Sequence, residues 1–282
     1  MEKLVCKSNN KSVVDFILFN LPEINYSTVQ KLLRKKDIKI NGVRIKTDCK
    51  VVTGDIVEVY APLKPETKEV AIVYNDDNIV VVNKPAGIEV VSDETESLLT
   101  RLTTQLGISV YAVHRLDFNT TGLVIFATNI KAKEQLEQAF KNHTIKKYYL
   151  AMVVGTPKKQ ADKLVAYHKK DGKNAVCYIS DSPKPGYSKI LTNYTLLKTN
   201  DILSVLQVEI ETGKTHQIRA HLAHVGNCVL GDEKYGNKQV NKQFKKKKQM
   251  LVAYKLCLDK SVLGYSVTIE LPNAKQEMLN AL

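Results

Sequence analysis

Near its middle and again near its end the chain alternates. Leu206, Val208 and Ile210 are interleaved with Gln207 and Glu209, and Tyr265, Val267, Ile269 and Leu271 with Ser266, Thr268 and Glu270. A period of two places one face of a strand in a core and the other in water. Strands with one wet face belong to antiparallel sheets, because parallel sheets are covered on both sides. Ala132, Leu136 and Phe140 recur instead at helical spacing, and IVYNDDNIVVVNKPAG offers two strands around an Asp76-Asp77-Asn78 turn. The mixture predicts an α+β fold, a mixed and largely antiparallel sheet flanked by helices. No internal repeat is present.

The first 60 or so residues read as a unit of their own. Ser12 is placed to cap a helix carrying Val13, Val14, Ile17 and Leu18. A second helix is expected in NYSTVQKLLRKK, with Ser27 as cap and Val29, Leu32 and Leu33 inward. Asn41-Gly42 between Ile38/Ile40 and Val43/Ile45 is a hairpin signal. Lys31, Arg34, Lys35 and Lys36 of the helix and Lys39, Arg44 and Lys46 of the hairpin make one basic surface. Pro62 and Pro65 in APLKPETKE mark a stiff linker. The expected boundaries are 1–61 for a small N-terminal α/β domain, 62–70 for the linker and 71–282 for the larger domain.

Lys and Arg number 42 against 29 Asp and Glu, a net charge of +13. That excess favours a polyanion, most simply nucleic acid, although a lysine-rich surface alone would give the same count. No segment has the ~18 uninterrupted apolar residues of a membrane span, and MEKLVCKSNNKS lacks the apolar core of a secretory signal. Five scattered cysteines without CxxC spacing fit reduced thiols rather than a disulfide framework or zinc site. A cytoplasmic protein with no membrane association is expected, and a monomer.

The chemistry concentrates in VHRLDFNTTGLVIFA, residues 113–127, where His114, Arg115 and Asp117 precede an apolar run. Charged groups are rarely buried unpaired, so the segment reads as a polar tip on a core strand. Two further polar clusters are NKPAG and TGKTHQIRAHLAHVG, the latter followed by GDEKYG. His216, His221 and His224 lack the HExxH arrangement, so no metal is expected. TGKT lacks the earlier glycine of a phosphate loop, and no GxSxG is present. What remains is a lone carboxylate, Asp117, with Arg115 beside it and Arg219 within reach. Such a group serves as nucleophile or general base, or as half of a salt bridge that fixes a turn.

The motifs resolve this by resemblance. HRLD followed by TTG resembles the HRLDxxTSG motif of pseudouridine synthases of the ribosomal-large-subunit (RluA-like) family. NKPAG, KYYLA, TGKTHQIRAHLAHVG and GDEKYG follow in that family's order, from about Ile72 onward. Thr121, Lys214 and Val252 stand where serine, arginine and histidine are usual. STVQKLLRKKDIKING followed by GDIVEV is similar to the alpha-L RNA-binding module of small-subunit ribosomal proteins and tyrosyl-tRNA synthetases.

The resemblance implies an isomerase that turns uridines of structured RNA, ribosomal (large-subunit above all) or transfer RNA, into pseudouridine. No external cofactor or redox step is implied. Asp117 would be the catalytic carboxylate, Arg219 its partner, and Tyr149 the ring stacked on uracil, with Tyr148 competing for that place. Arg115 would fill the gap left by the flipped nucleotide. His114 and Lys84 would contribute to substrate binding through other groups rather than directly. The basic residues 31–46 would grip RNA away from the reacting base. Two other readings stay open: an RNA-binding or ribosome-assembly protein that kept the fold, and an RNA hydrolase using the same carboxylate.

Overall fold

The computed structural model describes residues 1–7, 11–21, 24, 26–60, 69–93 and 95–282. The chain divides into two compact units, Met1–Lys68 and Glu69–Leu282. Pro62 and Pro65 of the expected linker lie outside the described residues, as does the side chain of Ser27.

In the first unit, strands β1 (Glu2–Val5), β3 (Ile38–Ile40), β4 (Val43–Ile45) and β6 (Ile56–Val59) form one antiparallel sheet in the order β1-β6-β3-β4. The short strands β2 (Lys11–Ser12) and β5 (Lys50–Val51) pair beside it. The Ser12 hydroxyl accepts from the Val14 and Asp15 amides and so starts helix α1 (Val13–Asn20). Helix α2 (Tyr26–Lys35) begins one residue before Ser27, which therefore lies inside the helix and not at its cap. Val29, Leu32 and Leu33 of α2 join Val13, Ile17, Ile38 and Val57 in the core. At the β3–β4 turn both Asn41 (φ 49°) and Gly42 (φ 80°) are left-handed, as a two-residue hairpin requires. Edge strand β1 has no clear pattern in the sequence, being four residues long.

The second unit contains strands β7 (Ala71–Asn75), β8 (Ile79–Lys84), β9 (Tyr111–Ala112), β10 (Thr121–Ala127), β11 (Lys146–Val154), β12 (Ala161–Asp171), β13 (Val176–Ser180), β14 (Ser188–Thr199), β15 (Leu203–Ile210), β16 (Leu251–Leu258) and β17 (Val267–Glu270). They form one sheet in the order β13-β12-β14-β15-β11-β16-β10-β8-β7, with β9 on β10 and β17 on β16. Among the described pairs only β10–β16 is parallel, through Thr121↔Val252 and Gly122↔Ala253. Helices α3 (Leu98–Leu106), α4 (Ile130–Lys141), α5 (Gln217–His224), α6 (Lys238–Gln243), α7 (Lys260–Leu263) and α8 (Ala274–Asn280) flank it. The fold is thus α+β and largely antiparallel.

Strand β10 is covered on both faces. Val124 and Phe126 pack with Leu98 and Leu102 of α3 and Ile218 and Leu222 of α5, while Leu123 and Ile125 pack with Ala132 and Leu136 of α4. That two-sided burial is why LVIFA is continuously apolar rather than alternating. The composition of NKQVNKQFKKKKQM, basic and of low complexity, predicts a surface loop, but the segment begins with the six-residue helix α6, which Asn237 caps through the Gln239 and Val240 amides. No helix among the described residues is long and apolar enough to cross a membrane.

Candidate active site

The segment between β9 and β10 carries Asp117 into the lining of an open cleft. Its turn is closed by the Thr120 amide donating to the Asp117 carbonyl at 3.0 Å. From below, the fully buried Lys84 donates to the carbonyls of Pro85 (3.0 Å), Ile88 (2.8 Å) and Phe118 (3.0 Å). The Gly87 amide donates to the same Phe118 carbonyl. Lys84 therefore ties the NKPAG turn to the residue that follows Asp117. Burial pulls its pKa down to about 8, against the pull of Asp117. Gly122, where the strand resumes, is left-handed at φ 111°, and a Cβ there would overlap the Ala253 carbonyl.

Helix α5 delivers Arg219, whose side chain is 7% exposed and lies between two carboxylates. Its Nη1 donates to Asp117 Oδ2 at 2.9 Å, its Nε to Asp232 Oδ2 at 2.6 Å and its Nη2 to Asp232 Oδ1 at 2.9 Å. The Asp232 carboxylate is fully buried and also accepts the Lys234 and Tyr235 amides. Burial would raise the Asp232 pKa, but the hydrogen bonds and charge of Arg219 and those two amides outweigh it and hold it low. Asp232 thus clamps the guanidinium by a bidentate contact, and the remaining nitrogen aims at Asp117. Asp117 Oδ2 takes Arg219, and among the described residues Oδ1 has no hydrogen-bond partner.

Tyr149 of β11 forms a wall of the cleft, held between Val208 and Ala253 on the adjoining strands. It is 8% exposed, and burial together with the Asp117 charge pushes its phenol up. Tyr148 faces the other side of the sheet, toward Gln207 and Tyr254, away from the cleft. Arg115 and Lys214 line the cleft beside Asp117. His216, at φ 51°, also lines it, with Nε2 4.0 Å from Asp117 Oδ2. Its Nδ1 lies 2.9 Å from the Tyr235 hydroxyl, which accepts from the Cys177 amide at 2.7 Å. Burial lowers the His216 pKa, opposed by Asp117 and aided by Arg219 and Lys234.

His114 is placed differently. It stacks on Phe140 at 4.5 Å, accepts the Ile125 amide through Nε2 at 2.9 Å and does not line the cleft. Lys84 likewise lies beneath the loop rather than in the cleft. Asp232, His216 and Tyr235 were not singled out from sequence as site residues. GDEKYG, which begins twelve residues beyond Arg219, is the available signal for two of them. Among the described residues no group of three or more His, Cys, Asp or Glu is placed to hold a metal ion.

In the first unit Lys31, Arg34, Lys35, Lys36, Arg44 and Lys46 are exposed. Lys39 is half-buried, its Nζ donating to the Tyr60 hydroxyl at 3.1 Å. Arg44 donates to the Lys36 carbonyl, which draws hairpin and helix end together.

Residues 78–224 match the family model described as RNA pseudouridylate synthase. The chain is similar to the ribosomal large subunit pseudouridine synthase C of Rickettsia bellii, 31% identical over 275 residues, which are 88% of this chain and 90% of the relative. Its similarity to the protein of the same name from Vibrio cholerae is 29% over 246 residues, 80% and 76% of the two chains. Among solved structures it resembles human RNA Pseudouridylate Synthase Domain Containing 1, with TM-score 0.64 and 24% identity over 74% of this chain and 85% of that one. At that identity the likeness is one of fold.

Proposed function

The chain belongs to the RNA pseudouridylate synthase family, an RNA uridine-to-pseudouridine isomerase, and from that premise we propose that Asp117 is its catalytic carboxylate and large-subunit ribosomal RNA its substrate. The observation that carries the first part is the Asp232–Arg219–Asp117 chain at the cleft. A bidentate clamp fixes the guanidinium, the guanidinium fixes Asp117 Oδ2, and Oδ1 is left for chemistry. The substrate rests on the names of the relatives.

The reaction breaks the bond from ribose C1′ to uracil N1 and forms one from C1′ to C5. The proton on C5 leaves and N1 gains one. Atoms and electrons balance without an oxidant or external cofactor. Asp117 Oδ1 serves either by attacking the sugar or by taking a proton from it, and both routes use the same oxygen. Arg219 carries the countercharge, and its place between two carboxylates raises its own pKa against burial. The Tyr149 ring holds the flat face of uracil while allowing rotation in plane. Arg115 takes the position vacated in the RNA by the extruded nucleotide. The six exposed cations of the first unit hold phosphates and position the RNA without reading its sequence.

The test is a pseudouridine map of total RNA, by carbodiimide-adduct reverse-transcription stops, from cells with and without the gene. Sites in large-subunit RNA that vanish on deletion and return with wild type, but not with Asp117→Asn, are expected. Sites confined to transfer RNA would overturn the substrate assignment alone. Restoration by Asp117→Asn would overturn the catalytic one.

A further inference from the structure

Two features beside the cleft have no role in the reaction just described. Phe118, the residue after Asp117, is 52% exposed. An apolar ring that open to water, next to a reactive carboxylate, gains nothing for the core. The second is the run Lys245–Lys248. Lys245, Lys247 and Lys248 are exposed, Lys246 is half-buried, and among the described residues none of the four ammoniums has an acidic partner within 4.0 Å.

The lysine run is anchored to the catalytic machinery at several points. Gly231 lets the Lys248 carbonyl pass where a Cβ would collide with it. Asn241 accepts from the Gly231 amide at 2.7 Å and donates to the Asp232 carbonyl at 3.0 Å. The Lys246 amide donates to the Asn241 carbonyl at 2.9 Å. Gln249, 7% exposed, donates to the Thr120 hydroxyl, and the Thr120 amide closes the Asp117 turn. Lys248 Nζ lies against Gly87, 3.8 Å from where its Cβ would be, and the Gly87 amide donates to the Phe118 carbonyl. Lys248 is therefore held beside the same turn that presents Phe118, and the three lysines before it lead into that position along the chain.

We propose that the Phe118 ring and the Lys245–Lys248 run form a subsite for single-stranded nucleotides flanking the target uridine, the ring taking a neighbouring base and the ammoniums the phosphates. This rests on the reading of the cleft as a uridine site. Extruding one nucleotide unstacks its neighbours, and an exposed aromatic with unpaired cations is the arrangement that receives an unstacked base and its backbone. Stacking tolerates any base, so the subsite adds grip rather than sequence selection.

The test uses the full chain and two fluorescein-labelled probes of equal length, an oligouridylate and its abasic counterpart, read by anisotropy over a salt series. The wild type is expected to prefer the oligouridylate. Phe118→Ala should reduce that preference at least about fivefold, and Phe118→Tyr should restore it. Lys245–Lys248 all changed to Gln should lower the slope of log affinity against log salt by about 3. An unchanged preference in Phe118→Ala, or an unchanged slope in the lysine variant, overturns the subsite. Pseudouridine formation by the wild type, assayed in parallel, separates the two readings. A wild type that modifies RNA while Phe118→Ala binds normally sinks the subsite alone, and an inactive wild type with the expected preference sinks the uridine reading alone.

Discussion

Replacing Arg219 by methionine tests the clamp. The aliphatic length stays, but the fully buried Asp232 carboxylate loses both guanidinium contacts. Orphaning one member of a buried pair costs about 3–5 kcal/mol. Two backbone amides still reach Asp232 Oδ1, so about 3 kcal/mol is expected. Adding Asp232→Asn removes the stranded charge while its amide oxygen keeps both donors, leaving only the new NH2 unpaired at about 1–2 kcal/mol. The double variant should therefore be more stable than Arg219→Met alone by about 1–2 kcal/mol, which urea unfolding followed by circular dichroism would resolve. The pH dependence has a definite sign. Without Arg219 the Asp232 carboxylate loses the hydrogen bonds and charge that oppose burial, so its folded pKa rises from the depressed wild-type position. A depressed folded pKa gives stability above the unfolded value and loses it as pH falls through the folded one, and the variant forgoes that stability. The deficit of Arg219→Met should thus be largest near neutrality and shrink on acidification. A loss below about 1 kcal/mol, or a double variant weaker than the single one, would refute the clamp.

Other outcomes follow from the same contacts. Burial depresses the pKa of His114 to about 3 and of His221 to about 4, so their stabilisation is present above about 6.5 and lost as pH falls toward those values. His114→Asn, which still offers Ile125 an acceptor, should flatten the fall of melting temperature below pH 6.5; a curve parallel to wild type would contradict it. Gly122→Ala forces a Cβ onto the Ala253 carbonyl at a left-handed φ and should cost more than about 3 kcal/mol or prevent soluble expression. Arg34, Lys35, Arg44 and Lys46 changed together to Gln should reduce the salt slope of binding to large-subunit RNA by about 3, and an unchanged slope would remove the first unit from the RNA interface.

Much of the site was legible because its chemistry is local in sequence. The HRLD segment and HQIR each announce a charged tip, and Asp117 and Arg219, 102 residues apart, meet at 2.9 Å. The continuous LVIFA run marks a rigid, doubly covered strand beneath the loop. His114 misled because a histidine beside an arginine and an aspartate looks like part of their cluster. It lies past the end of β9 in the irregular segment before β10, and there it turns to the Phe140 ring and the Ile125 amide rather than to the cleft. Asp232 and Tyr235 went unassigned because a turn motif such as GDEKYG does not say which distant group it meets. Helix α6 hid in a lysine-rich run whose polar residues show no apolar stripe, only an asparagine cap.

The central claim is that Asp117 carries the reaction. Release of tritium from uridine labelled at C5, in large-subunit RNA under single-turnover conditions, follows the step in which C5 loses its proton. Asp117→Asn should bind this RNA as the wild type does, keep its melting temperature within a few degrees, and release tritium at least about a thousandfold more slowly. A folded Asp117→Asn that releases tritium at the wild-type rate would reduce Asp117 to a salt-bridge partner of Arg219 and contradict the account.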